Sequence, residues 1–385
     1  MLAIVVTAYN RSIPLKNLLC SLLKIRIENE RIPLIISIDN GGTPEVNKVA
    51  EEFEWPFGRK EVIIHNKKKG LVNHFIWAGD QTEKYDYVVF LEDDLLVSPE
   101  LIDYCKRLIE FYENDNNIAA ASLYNPILNE ATGTKFYQLE DGYDVYFLQQ
   151  PYWGNIWFKN KWKDFKKYLE TYKVNEKILP SNIAEWDCSF KKIYIQYLIE
   201  SNKTVVTPRV SLVTNNGNAG IHSGDLYEFQ SNLQLTKKDY RFIALDESIS
   251  IYDSFVEISS SILKKYCEEL RDYNFEVDIN GNRRFYHMEY VLTSKPVKRA
   301  ILSYTSLMKP TELGIIMGMS GNKNISLCKA TDVIDSHKYV RMRRYHDILK
   351  NYHIGVWASF YISKYLIAYL CKIIFHKTKI KIINF

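Results

Sequence analysis

The chain has 385 residues, 46% of them hydrophobic and 14% aromatic, enough for a large core built as one extended catalytic unit with additions, and too apolar for a disordered protein. A net charge of only +4 argues against a nucleic-acid binder. The six cysteines are widely spaced and form no CxxC pair, which argues against a zinc or disulfide framework and fits a reducing cytosol.

The N-terminus, MLAIVVTAYNRS, has no basic region ahead of its apolar run, so it reads as the start of the fold rather than a signal peptide or anchor. Leu2 to Thr7 is β-branched and reads as a buried parallel strand; Ser12 to Ile25 follows with apolar residues at helical spacing. Pro33 to Ile38 repeats the strand signal and ends in Asp39-Asn40-Gly41-Gly42. Glu45 to Phe53 reads as a helix, Glu61 to His65 as a third strand, Asn73 to Gln81 as a helix and Tyr87 to Leu91 as a further buried strand. Strands alternating with helices predict a doubly wound α/β sheet, whose ligands sit at the carboxyl ends of the strands. Arg11, Asp39 and Glu92-Asp93-Asp94 all fall at such ends.

Three adjacent carboxylates after a buried strand repel one another and are costly unless a cation neutralises them. Carboxylates there often cap the next helix, but Ser98-Pro99-Glu100 already supplies a cap for the helix predicted from Glu100 to Tyr112. Oxygen ligands suit Mg²⁺ or Mn²⁺, which bind through one or two carboxylates and a substrate's phosphates. No GxxxxGK[ST] motif is present and no GxGxxG follows the first strand, so neither a P-loop nor a dinucleotide enzyme is supported. Sugar transfer from a nucleoside diphosphate is the reaction class that most needs a divalent ion in such a domain.

The series AYNRS (8 to 12), SIDNG (37 to 41), NHFIWA (73 to 78), VVFLEDDLLVSPEL (88 to 101), PYWGNIWFKNKW (151 to 162), EWDCSF (185 to 190) and NNGNAGIHSG (215 to 224) resembles the GT-A glycosyltransferases. Among them it is most similar to the N-acetylglucosaminyltransferase I family, and it also looks like bacterial family 2 enzymes. The resemblance spans about residues 1 to 230. It implies a GT-A catalytic domain, a UDP-sugar donor with N-acetylglucosamine as first choice, Mn²⁺ (or Mg²⁺) as cofactor, and inversion at the anomeric carbon.

Residue by residue, the resemblance places Arg11 against the nucleotide, Asp39 on the uracil, His74 near the uridine, Glu92 and Asp93 on donor sugar and ribose, and Asp94 on the metal. Asp39 also suits a turn with Asn40-Gly41-Gly42, and a lone helical histidine is more often structural. Asp187, after Trp186, matches the catalytic base; Glu185 is its nearest competitor, and the alternative is that Asp187 merely caps the helix through Phe190 to Ile199. His222 and Ser223 fall in the Gly-rich loop as phosphate contacts, with an ordinary surface loop as the alternative. Of Trp153, Trp157 and Trp162, one at most is expected to meet substrate; Trp153 and Trp186 are assigned to acceptor. Lys67-Lys68-Lys69 reads as a solvated face.

The expected organisation is a catalytic domain over 1–250, an accessory module over 251–350, and an apolar C-terminal helix within 351–385. The extension is expected to be mainly helical, with Ser254 to Tyr273 as one helix. Ile354 to Phe375 carries Lys364 and Lys372 and is read as an interfacial helix rather than a span, the alternative being a packing helix. These readings converge on a cytoplasmic enzyme, peripheral on the inner face of a membrane, acting on a glycan or lipid-linked glycan acceptor. An inactive nucleotide-sugar-binding subunit and a sugar-phosphate nucleotidyltransferase are the rivals; the latter should carry a Gly- and Arg-rich loop where this chain has AYNRS. Oligomeric state is not legible.

Overall fold

A computed structural model describes residues 1–334 apart from 29, 188, 218–228 and 322–323, together with 363–364. The chain opens with β1 (Leu2–Ala8), α1 (Ser12–Leu22), β2 (Leu34–Ile38), α2 (Pro44–Glu52), β3 (Lys60–Ile64), α3 (Gly70–Asp80), β4 (Tyr87–Glu92), β5 (Leu95–Val97) and α4 (Leu101–Tyr112). It continues through β6 (Ile118–Ser122), β7 (Leu128–Asn129), β8 (Thr134–Lys135), β9 (Val145–Leu148), β10 (Asn155–Phe158), α5 (Lys159–Leu169), α6 (Ser181–Ala184) and α7 (Phe190–Glu200). The strands β11 (Thr204–Pro208), β12 (Val213–Asn215) and β13 (Ile251–Tyr252) follow.

Nine strands form one mixed sheet in the order β13-β9-β11-β6-β10-β4-β1-β2-β3. β4, β1, β2 and β3 run parallel. β10 inserts antiparallel between β4 and β6, and β11 lies parallel to β6. Both faces are covered, as the continuous apolar strands require. Ile4, Val6 and Ala8 of β1 join one core with Leu15 and Leu18 of α1, Val46 of α2 and Leu108 of α4. Ala3 and Val5 point the other way, into a core with Ala78 of α3, Trp162 and Phe165 of α5, and Tyr194 of α7. Period-two alternation along one strand thus feeds two helical layers, the doubly wound arrangement expected of a GT-A domain.

The extension differs from expectation. It contains α8 (Ser260–Tyr266), β14 (Phe275–Asp278), β15 (Tyr290–Thr293), β16 (Leu302–Thr305), α9 (Glu312–Ile316) and β17 (Asn324–Lys329), and its strands form a four-stranded sheet in the order β14-β15-β17-β16. Its described part is therefore not mainly helical, and Ser254 to Tyr273 is not one helix. The Asp253 carboxylate accepts the backbone N–H of Phe255 and of Glu257, which competes with helical bonding, and Val256 sits at φ 59, outside the helical region.

Polar contacts hold β14 and the loop after it against the segment that leaves β13 and against α6. Arg283 pairs with Asp253 and lies 4.1 Å over the Phe255 ring. The Asn280 backbone N–H donates to Glu257 at 2.7 Å, and Ser181 Oγ donates to the Asn282 carbonyl at 3.1 Å. Among the described residues no helix is long and apolar enough to cross a membrane. The predicted helix from Ile354 to Phe375 lies outside the described residues except for Ser363 and Lys364, and His222 and Ser223 lie outside them as well.

Candidate active site

Because β4, β1 and β2 are parallel neighbours, their carboxyl ends meet at one edge, bringing Glu92-Asp93-Asp94, Arg11 and Asp39 together. Arg11 stands at the start of α1 and donates to Asp94 Oδ2 at 2.9 Å and to Asp93 Oδ1. Burial disfavours its charge, but Asp93 and Asp94 outweigh that and hold the guanidinium above its ordinary value. Burial pushes the Glu92 carboxyl up to about 8, with the charges of Asp94 and Asp93 adding to the effect. Burial likewise pushes Asp93 up to about 6, against the pull of Arg11. One arginine therefore does not neutralise three carboxylates.

Asp39 is fixed differently. Its carboxylate accepts backbone N–H groups from Asn40 at 2.8 Å, Lys69 at 2.7 Å and Gly70 at 2.9 Å. Burial alone would raise its proton affinity, but these bonds prevail and hold it below the usual carboxylate range. Gly70 adopts φ 71 to present its N–H, and a Cβ on Gly42 would fall 2.0 Å from the Tyr9 carbonyl oxygen, so the turn behind Asp39 is closely packed. Lys69 thus belongs to the site through its backbone, a role that the solvated reading of Lys67 to Lys69 missed; only the glycine at the helix start signalled it.

His74 is buried, and its Nε2 lies 2.7 Å from Ser37 Oγ, which is 2.9 Å from His65 Nε2. Burial depresses the His74 imidazole to about 4, so it is neutral near pH 7. Ser37 and His65 are members of this arrangement that sequence reasoning missed; an alternating polar residue on a buried strand was the available signal.

Asp187 precedes α7, which leads directly into β11. Since β11 is parallel to β6, and β6 to β4 through β10, the segment before α7 lies toward the same carboxyl edge. Ser189, not Asp187, caps α7: its side chain accepts the Lys192 N–H at 3.3 Å. Lys192 Nζ donates to the carbonyls of Ala184 at 2.7 Å and Trp186 at 2.9 Å, fixing the turn. Asp187 is exposed and makes no hydrogen bond or ion pair with a described residue. Glu185 is tied to Arg284 at 2.5 Å.

The tryptophans separate by role. Trp157 and Trp162 are buried, Trp157 stacking on Phe90 at 4.7 Å and Trp162 donating to Asp80 at 3.0 Å. Trp153 and Trp186 are half-buried, Trp153 against Tyr124 and Trp186 beneath Lys191. Only the latter two keep surface that a ligand can reach.

The segment leading into the Gly-rich loop reaches the acidic edge through its backbone. β12 pairs with β5, and the Asn216 N–H donates to the Asp94 carbonyl at 2.8 Å.

Among the described residues no group of three or more His, Cys, Asp or Glu is arranged to hold a metal by itself. The edge does fit a cation that is shared with a substrate. Asp94 Oδ1 is buried without a hydrogen-bond partner while its sister oxygen is held by Arg11. A single carboxylate oxygen, completed by phosphate oxygens and water, is a common donor set for Mg²⁺ or Mn²⁺.

Residues 3–177 match the family described as Glycosyl transferase family 2. An Arabidopsis thaliana protein, alpha-1,3-mannosyl-glycoprotein 2-beta-N-acetylglucosaminyltransferase, is 28% identical over 149 residues, 33% of this chain and 32% of its own length. The match thus spans about a third of that relative. Two solved structures align more distantly. S. aureus TarS 1-349 in complex with UDP-GlcNAc is 14% identical, covering 57% of this chain and 60% of that one, with a TM-score of 0.41. Mannosyltransferase PcManGT from Pyrobaculum calidifontis, in complex with GDP-Man and Mn²⁺, is 8% identical over 54% of each chain, with a TM-score of 0.37.

Proposed function

We propose, from the match of residues 3–177 to the glycosyl transferase family 2 model, that the chain is an inverting, divalent-metal-dependent glycosyltransferase. It moves a sugar from a UDP-sugar to a hydroxyl of a glycan or lipid-linked glycan. N-acetylglucosamine is the first choice of sugar, in line with the name of the plant relative. The observation that carries the reading is the acidic edge itself, where Asp94 keeps one buried oxygen unpaired beside Arg11.

In this reading Asp39, already an acceptor of three backbone N–H groups, orients the base of the nucleotide, and neutral His74 backs it through Ser37. Arg11, Glu92 and Asp93 meet the donor's ribose, sugar and phosphates. Asp94 would hold Mn²⁺ or Mg²⁺, which when bound neutralises the charge developing on the leaving diphosphate. His222 and Ser223, outside the described residues, would contact those phosphates. Asp187 takes the proton of the acceptor hydroxyl as that oxygen attacks the oxocarbenium-like carbon from the face opposite the diphosphate. An exposed, unpaired carboxylate suits that role. Trp186 and Trp153 flank the acceptor.

The organisation proposed is a catalytic domain over 1–250, an accessory module over 251–350 and a C-terminal segment that rests on the inner face of a membrane. A hydrolysis screen across nucleotide sugars with Mn²⁺ tests the function. Release of UDP from one UDP-sugar, faster with metal than with chelator, is expected. No hydrolysis of any nucleotide sugar, or hydrolysis indifferent to metal, would overturn it.

A further inference from the structure

A recess lies where the hairpin of β7 and β8 faces the extension. Asn129, Phe136 and Tyr137 line one side, and Asn280, Lys309 and Glu312 the other, around roughly 460 Å³ of space that includes its open mouth. Glu312 is 8% exposed, and among the described residues it makes no ion pair or hydrogen bond with another side chain. Burial raises its carboxyl to about 7. The carboxylate accepts its own backbone N–H and feels the charge of Lys309; with two oxygens it keeps acceptor capacity toward the recess, where a ligand hydroxyl offsets part of the cost of its burial.

The lining selects the ligand's chemistry. Lys135 and Lys309 stand around the same recess as Glu312, so no single sign of charge is favoured. Amide, hydroxyl and carboxyl groups dominate, with Phe136 and Pro310 supplying apolar contact. A neutral, hydroxyl-rich ring meets both demands. Its hydroxyls bond to carboxylate and amide, and its C–H face packs on carbon.

The hairpin also connects the recess to the proposed base. Glu130, next to Asn129, pairs with Lys191 at 2.8 Å. The Lys191 ammonium lies 3.9 Å from the centre of the Tyr152 ring and 5.8 Å from that of Trp186, the residue before Asp187. In the sheet, β13, whose chain leads into Val256 of the recess, stands five strands from β4, about 24 Å at the usual spacing.

Resting on the glycosyltransferase reading, we propose that this recess binds a neutral sugar unit of the acceptor glycan, remote from the hydroxyl that is modified. The enzyme then favours acceptors long enough to cross the hairpin from Asp187 to Glu312.

The test uses the full-length protein on an array of immobilised neutral and charged glycans of graded length. The proteins compared are wild type, Glu312→Gln and Tyr137→Ala, with thermal melts confirming that the variants fold. The expected result is retention of longer neutral glycans by wild type, about tenfold weaker in both variants, the loss of one or two good hydrogen bonds or contacts. Tyr137 is exposed on the rim, so its variant decides the matter if Glu312→Gln does not fold. Retention of no glycan, of charged glycans only, or to the same degree by all three proteins overturns the proposal. Nucleotide-sugar hydrolysis by wild type is measured separately. If hydrolysis is absent while Glu312-dependent retention persists, the transfer reading falls and the glycan site stands.

Discussion

Arg11 donates to one oxygen of Asp94 at 2.9 Å while the other oxygen of Asp94 is buried with no partner. Among the described residues Arg11 is the cation paired with these carboxylates, and it leaves a place for a second. Arg11→Gln should therefore destabilise the metal-free protein through the uncompensated repulsion among Glu92, Asp93 and Asp94. Mn²⁺ alone, which does not call on the donor contact proposed for Arg11, should raise the melting temperature of the variant more than that of wild type. Equal shifts in the two proteins would mean that arginine and metal do not share the carboxylates.

His74 gives a pH dependence with a definite sign. Its folded value of about 4 lies below the ordinary value of roughly 6.5, so the unfolded chain binds the extra proton first. Stability from this group is full above pH 6.5 and is lost as pH falls towards 4, by up to roughly 3 kcal/mol. Denaturant titrations across that window should show the loss in wild type and a flatter profile in His74→Gln. An identical profile in the variant would assign the acid sensitivity elsewhere.

Asp187 and Glu185 separate by mutation. Asp187→Asn should cut transfer by about a hundredfold to ten-thousandfold, the usual range for general base catalysis, without weakening UDP binding. Glu185→Gln, which loses only an exposed pair with Arg284, should cost far less. The product anomer, read by NMR, should be opposite to the donor's. Greater loss at Glu185, or retention of configuration, would reassign the base or the mechanism.

Arg283 should matter for stability. It pairs with Asp253 and stacks on Phe255 with its side chain only 12% exposed, so Arg283→Ala leaves a half-buried carboxylate without its cation, though still held by two backbone N–H groups. A loss of about 1.5–3 kcal/mol is typical for a hydrogen bond to a charged group. Thermal melts combined with limited proteolysis should place the first cleavage at the junction near residues 253–283. A variant as stable and as protected as wild type would show that the extension is seated by other contacts.

Much of this architecture was legible in the sequence. Leu2 to Ala8 is buried on both faces, so its continuous β-branched run announced a parallel strand, and polar residues following such strands had to gather at one edge. The cap expected from Ser98 is instead a turn ahead of the helix: its Oγ accepts the Glu100 N–H at 2.9 Å, while α4 starts at Leu101 with Glu100 at the cap position and no side-chain cap bond. Less visible were features made by long-range contact. The Asp253 carboxylate diverts the backbone of Phe255 and Glu257 from the helix that the local pattern favours. The grip of Lys69 and Gly70 on Asp39 joins residues thirty apart, and Glu312 looks like an ordinary surface acid until the hairpin covers it.

The central claim is that Asp94 holds a divalent ion against the donor's diphosphate, and calorimetric titration of UDP into the protein with Mn²⁺ and with chelator tests it most directly. The account predicts binding that depends on Mn²⁺ in wild type and is lost in Asp94→Asn, with both proteins equally folded. UDP binding of equal strength with and without the metal, or unchanged by Asp94→Asn, would contradict it.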